Sequence, residues 1–546
     1  MKFFTKKIFF FLVVIAFLGT AAKQVNSGKY FEMAKNLEIF ANIYKELNKN
    51  YVDELDPAKT MRVGIEAMLN SLDPYTNFYS ESDIEVARMM TEGKYSGIGA
   101  GVKKMGDYPV ITDVYENCPA YKAGLRAGDI IVAVEGQNAK GKGPEDVYDI
   151  MKGTPGTEME ITIRRAGLPK ETKVKLKRDE VDVPNVPYSG MVNEDIGYVN
   201  LTTFTRDAGP NVEKAFKELK EKNPNMKGLV LDLRGNGGGL LNEGVNLVNV
   251  FVPKGELVVS TKGKVVEWDR SYKTTNNPFD EKMPVVVLVD KGTASASEIV
   301  SGSLQDLDRA VIMGQRTYGK GLVQNFHEVG YNSRMKLTTS KYYIPSGRCI
   351  QGVSYKNGVP VNIPDSLRVP FKTRKGRKVL DGGGVAPDVY LDKEIKSAVV
   401  KSLIDENVIF DYVTQYILEH PTAPAITDFK FEAFDEFTNF VTKKNFDANT
   451  ETDKAILQLQ QEATREHYSS IIDADIKALQ NKLANEKKSE IAKFKTDLTH
   501  LIEKEIASRY YFEKGKIQVT LRNDKEVDEA IKLLHDNSKY MSILKM

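Results

Sequence analysis

Residues 285–302 read VVVLVDKGTASASEIVSG, and this stretch sets the architecture of the chain. The apolar run Val285–Val289 reads as a buried strand ending at Asp290, and a helix begins within a few residues of Ser295. Outward from it, apolar strands alternate with helical stretches. IGYVNL (196–201) precedes a helix near Asn211 to Lys222; GLVLDL (228–233) runs into glycines; RAVIMG (309–314) follows the serine-rich helix. This alternation predicts α/β layers around a mainly parallel sheet. LDGGGVAPDV, ending at Val389, closes that core.

The flanking regions differ in character. Residues 95–179 contain the glycine-rich YSGIGAGV, the strand-like PVITDV and EMEITIRR, and between them CPAYKAGLRAGDIIVAVEG, which fits a small β-rich module. Tyr30 to about Met90 is helical, with Leu37, Phe40, Tyr44 and Leu47 on one face and turns at Asp56–Pro57 and Asp73–Pro74. Beyond Lys393 the chain is helix-rich and mixed in charge, as in LANEKKSEIAKFKTDL, and reads as a solvated accessory domain. At the N-terminus, Lys2, Lys6 and Lys7 precede an apolar run from Ile8 to Leu18 and then Gly19, Ala21 and Ala22, the pattern of a secretory signal. Either cleaved or kept as an anchor, it puts the chain outside the cytoplasm, in the periplasm or cell envelope. Membrane association follows only if the segment is uncleaved. The expected organisation is therefore signal or anchor 1–26, helical region 27–94, β-rich domain 95–180, α/β core 181–393 and helical domain 394–546.

Composition narrows the chemistry. At 546 residues the chain is long enough for about three or four domains. Lys+Arg 77 against Asp+Glu 75 leaves +2, which asks for no nucleic-acid partner. Two cysteines, Cys118 and Cys349, make neither a disulfide framework nor a structural zinc site, and no metal or organic cofactor is implied. All five histidines lie C-terminal to the serine cluster, and only His327 falls near the core. Its setting, VQNFHEVG, reads as a strand.

A hydroxyl at a strand-to-helix turn stands where the first helical N–H groups favour an adjacent oxyanion. Thr293, Ser295 or Ser297 equally suits an N-cap, with Glu298 closing a capping box. A serine nucleophile needs a base, and TYGKGLVQ (317–324) offers Lys320 between Gly319 and Gly321. A lysine normally titrates near ~10.4, but burial beside a helix N-terminus disfavours its charged form. The Gln324 amide is placed to orient that amine.

TASASEI followed by GQRTYGKGLVQ resembles the signature of the carboxy-terminal processing peptidases, or tail-specific proteases, a Ser/Lys peptidase family with a crotonase-like ββα-superhelix core. The resemblance spans about Tyr30 to Val389, including SLDPYTNFY and KYYIPSGRCIQG. The family's serine and lysine stand 25 positions apart, as Ser295 and Lys320 do. The resemblance implies Ser295 as nucleophile in preference to Ser297, Lys320 as general base and Gln324 as its orienting residue. Ala296 then supplies one oxyanion donor. LDLRGNGGG (231–239) supplies the other, through Gly238 first and Gly239 second; the family's asparagine-proline-glycine-glycine turn has Gly237 in place of the proline here.

The module 95–180 resembles a PDZ domain. Gly97, Ile98, Gly99 and Ala100 match the loop that captures a peptide C-terminus, after which the peptide adds as a strand. Val102, Val147 and Met151 are candidates both for the side-chain pocket and for ordinary core. The implied function is an exported serine endopeptidase acting on proteins with accessible apolar C-termini. The rival readings are a catalytically silent PDZ scaffold and an acyl-CoA enzyme on the same core. A homo-oligomer or an adaptor on the C-terminal helices stays open.

Overall fold

The computed structural model describes residues 28–356, 359–392 and 397–545; the expected export signal lies outside them. They form two units, one made of residues up to 78 with 355–359, the other of 79–354 and everything from 360 onward.

In the first unit a helix over residues 28–50 is followed by Pro57–Asn70. The second helix starts where Asp56 accepts the Lys59 N–H at 3.1 Å and Pro57 fills the first helical position, where no N–H is needed. Tyr44 donates to the Pro57 carbonyl at 2.8 Å, and the Phe40 ring lies over Gly64. The face expected from spacing is therefore present but only partly covered, with Leu37 68% exposed. Asp73 makes the second turn by accepting the Tyr75 and Thr76 N–H groups.

At the heart of the second unit is a six-stranded sheet in the order Tyr188–Met191, Ile196–Asn200, Gly228–Asp232, Val285–Val289, Val311–Gly314 and Val389–Tyr390. The first pair is antiparallel and every later pair parallel. Side chains alternate across a strand, so Val285–Val289 serves two cores at once. Val285, Val287 and Val289 pack with the helices Ala208–Lys222, Leu241–Asn249 and Ala296–Asp306. Val286 and Leu288 face the other way, against Val527, Ala530, Leu533, Leu534, Tyr540 and Leu544. A parallel strand buried on both faces has no polar alternation, which is why the run is continuously apolar.

That second cover comes from the C-terminal end, on Lys525–His535 and Asn537–Ile543. The reading of everything beyond Lys393 as one solvated accessory region thus fails for its last twenty residues, because the sheet's second face needs an apolar cover. The preceding helices, among them Val408–Glu419, Phe434–Lys443 and Lys495–Leu521, keep a core of their own around Leu403, Val413, Phe437, Leu498, Ile502 and Ile506. Among the described residues no helix is long and apolar enough to cross a membrane.

The β-rich module is a sheet in the order Ala100–Met105, Tyr108–Val114, Ile130–Val134, Glu158–Arg164, Thr172–Lys177, with helix Pro144–Met151 beside it. Its entering strand Lys94–Gly97 pairs antiparallel with its leaving strand Asp179–Asp182. Ile111, Ile131, Val147 and Ile161, all 0% exposed, form its centre. Ala100–Met105 is an edge strand.

Candidate active site

The turn after Val289 is held by its own polar groups. Asp290 Oδ1 accepts the N–H groups of Gly235, Gly292 and Thr293 at 2.8–3.0 Å, and Thr293 donates its hydroxyl to Leu233 O at 2.9 Å. Ala294 N–H and the Ser297 hydroxyl both donate to Asn236 O, at 2.9 and 3.0 Å. Two of the turn's three candidate hydroxyls are therefore committed to carbonyls, and Ser297 is fully buried. Ser295 is half-buried and sits at φ 57, ψ −117, outside the basins that ordinary residues occupy. Such a conformation costs on the order of 1–3 kcal/mol and persists where the surroundings enforce it. The next residue, Ala296, opens the helix, so its N–H has no intrahelical acceptor.

The enforcing group is Glu298. Its Oε2 accepts the Ser295 N–H at 2.9 Å, as a capping box would have it, and also the Lys320 N–H at 2.8 Å. Its Oε1 accepts the Gly319 N–H at 2.7 Å and the Thr317 hydroxyl at 2.5 Å. One buried carboxylate thus joins the serine turn to the lysine loop. Burial pushes it up to about 7, against the opposing pull of these four donors. Two more ties run in parallel. Tyr318 N–H donates to Thr293 O at 3.0 Å, and the buried Tyr342 hydroxyl reaches the Ser295 carbonyl at 3.1 Å and the Lys320 carbonyl. The lysine loop is threaded tightly: a Cβ on Gly319, whose φ is 89, would lie 2.9 Å from Gly352 and Gly384. Lys320 is half-buried. Gln324, on the strand Leu322–Gly330, donates from Nε2 to Thr338 Oγ1 at 3.3 Å, next to a bulge.

Gly238 closes the site from the other side. At φ 96, its missing Cβ would lie 2.7 Å from the Ser295 Cβ and 2.8 Å from the Ala296 nitrogen. Its N–H donates to Asn236 Oδ1 at 2.9 Å, so the expected second oxyanion donor is engaged within its own loop. Gly239 pairs with Phe204 in a parallel bridge. The same loop is anchored at Arg234, whose guanidinium meets Asp232, Asp524 and Glu526 at 2.6–2.8 Å.

His327 lies on its strand as expected, stacked on Trp268 with ring centroids 6.1 Å apart. In the β-rich module Gly97–Ala100 links the entering strand to the edge strand, with Ile98 and Ala100 buried. Val102, Val147 and Met151 are buried in the module's core. The sequence pattern marks Glu298 as a cap and gives no role to Tyr342, Asn236 or Arg234. The S-x-x-E spacing was the one available signal, and it gave half of Glu298's role.

The sequence profile described as peptidase family S41 matches residues 195–363, a PDZ-domain profile matches 110–165, and one described as the C-terminal helical domain of probable PDZ-proteases matches 399–534. The chain is 34% identical over 364 residues to a carboxy-terminal-processing protease of Bartonella bacilliformis, covering 66% of this chain and 83% of that one. It is also 34% identical over 345 residues to a probable CtpA-like serine protease of Staphylococcus aureus, covering 62% and 68%. Among solved structures it resembles a photosystem II D1 C-terminal processing protease at 29% identity, with 65% of this chain and 92% of that one covered and a TM-score of 0.36. The chain belongs to the carboxy-terminal-processing serine proteases of peptidase family S41, with a PDZ domain and a C-terminal helical domain.

Proposed function

We propose that this protein is an exported endopeptidase that takes hold of an apolar protein C-terminus on its PDZ domain and cleaves near that tail with a Ser295/Lys320 dyad. The observation that carries this reading is the Glu298 carboxylate, which holds the N–H groups of Ser295 and Lys320 together at 2.9 and 2.8 Å beside a strained serine. Ser295 Oγ attacks the scissile carbonyl as its proton passes to the neutral Lys320 amine. The oxyanion is held by the Ala296 N–H and by Gly238 once its N–H leaves Asn236. Lys320 then protonates the departing amine, and water, deprotonated by the same lysine, releases the acyl group. Gln324 is the residue we assign to orienting the lysine. We take residues 95–180 as the tail-reading domain and 181–393, completed by residues 525–544, as a peptidase core of the crotonase-like ββα kind.

The test uses an unfolded protein with an apolar C-terminus, offered to the wild type and to Lys320→Ala. Cleavage by the wild type, insensitive to chelators, with a loss of at least ~10³-fold in the variant, supports the dyad. Cleavage by both alike, or by neither, overturns it; the latter outcome favours a silent scaffold.

A further inference from the structure

The stretch KYYIPSGRCIQG (341–352) takes no part in the chemical steps above, yet its two ends grip the loop that carries Lys320. Every backbone polar group of residues 319–321 is satisfied, as a buried segment requires, but from two different sources. The Gly319 and Lys320 N–H groups go to the Glu298 carboxylate at 2.7 and 2.8 Å. The remaining groups go to the stretch. Gly352 N–H donates to Gly319 O at 2.7 Å, the Tyr342 hydroxyl to Lys320 O, and the Tyr342 N–H to Gly321 O at 3.0 Å. The Gly321 N–H donates to a side chain, the amide oxygen of Gln351, at 2.6 Å. That amide is buried, and its orientation is fixed by partners of opposite kind, because its Nε2 donates to Val353 O at 2.8 Å. Its backbone is equally constrained: the carbonyls of Cys349 and Ile350 accept the Gly382 and Gly384 N–H groups at 2.8 and 2.9 Å. The approach to the loop is close, since a Cβ on Gly321 would lie 2.7 Å from the Gln351 nitrogen.

We propose that Gln351 is a positioning residue for Lys320, acting on the lysine through the backbone rather than on its amine. The amine stands at the end of a flexible four-carbon stem, so its aim depends on where the backbone beneath it is held. Glu298 fixes the peptide group before the lysine; Gln351 and Tyr342 fix the one after it. Without the Gln351 oxygen, a buried N–H is left without an acceptor, and the peptide that bears it turns toward water and takes Lys320 along. A displacement of about 1 Å at a reacting group costs up to ~10²-fold in rate. This inference rests on Lys320 being the general base.

The test measures kcat and KM of the full chain, Gln351→Met, Gln351→Glu and Lys320→Ala on an unfolded protein with an apolar C-terminus. Methionine keeps the volume and removes both hydrogen bonds. Glutamate keeps the oxygen that faces Gly321 and, when ionised, gives up only the bond to Val353. Gln351→Met is expected to lose roughly 30-fold in kcat with KM within about two-fold, and Gln351→Glu to stay within about five-fold of the wild type. A role confined to holding Val353 predicts equal losses in the two variants, and that result overturns the proposal. So does a kcat of Gln351→Met within about three-fold of the wild type. Thermal unfolding shows whether the variants fold; should Gln351→Met not, Gln351→Asn, which draws the oxygen back by about one bond length, ~1.5 Å, must show the loss in kcat in its place. Lys320→Ala separates this proposal from the dyad. If it cleaves as fast as the wild type, or the wild type does not cleave, the base assignment fails and the positioning role falls with it. A large loss in Lys320→Ala beside an unaffected Gln351→Met sinks the positioning role alone.

Discussion

Glu298 concentrates the physics of the site in one side chain. A buried carboxylate without a cation is tolerated here because four donors converge on it, and burial still lifts it to about 7 from 4.5. Between those values the folded protein holds a proton that the unfolded chain has released. Its contribution to stability is therefore full below about 4.5 and is lost as pH rises through about 7. Glu298→Gln is neutral throughout. Urea unfolding of both proteins should show the wild type losing on the order of 3 kcal/mol relative to the variant between pH 4.5 and 8. Activity should move the opposite way, rising through the same window as the ionised oxygens take up the Ser295 and Lys320 N–H groups. A pH-independent difference in stability would contradict this account. The turn that carries Ser295 is legible in the sequence because strand, turn and helix are contiguous there, whereas the choice of Ser295 over Ser297 comes only from the spacing of the family it resembles. Glu298 was half legible: its link to Ser295 is three residues long, but its links to Thr317, Gly319 and Lys320 are formed only by the fold. The strain at Ser295 and the diversion of the Gly238 N–H to Asn236 leave no trace in residue type.

At the scale of elements, the strand Val285–Val289 could be read directly, since a run apolar on both sides has to be a two-faced strand or a buried helix, and five residues suit the first. Which elements cover its faces is a different matter. Lys525–His535 places Val527, Ala530, Leu533 and Leu534 on one side, a stripe that any amphipathic helix on any core would show. Its partner is 240 residues away, so no local signal marks it as part of the peptidase core. The expected cost of removing one such contact is that of a core cavity: Leu533→Ala should lower stability by about 3 kcal/mol. An exposed accessory helix would give well under about 1 kcal/mol, as surface changes do. Chemical denaturation of the full chain distinguishes the two.

At the scale of the whole molecule, the helix Lys525–His535 returns to the central sheet beside the Gly238 loop. Arg234 leaves the central sheet at the start of the loop that carries Gly238, and its guanidinium is held by Asp232 together with Asp524 and Glu526 of the final helices. Gln315 joins the same cluster through Glu526 at 2.9 Å. Asp524→Asn leaves Arg234 paired with Asp232 and Glu526 but weakens one charged hydrogen bond to it and the cap on the Glu526 and Val527 N–H groups, so it should cost about 1–2 kcal/mol in denaturation experiments, and more than the equivalent change at the exposed Asp528. Equal effects at the two positions would show the cluster to be incidental. In the proposed function, a tail taken by the PDZ domain presents the adjoining chain to the turn that Glu298 and Tyr342 tie to the Lys320 loop. The measurement that bears most directly on this is the turnover number of Ser295→Ala beside that of Ser297→Ala on the same unfolded substrate. A loss of at least ~10³-fold in Ser295→Ala, with Ser297→Ala retaining turnover within about ten-fold, is the predicted result. Retained cleavage in Ser295→Ala would contradict the assignment outright.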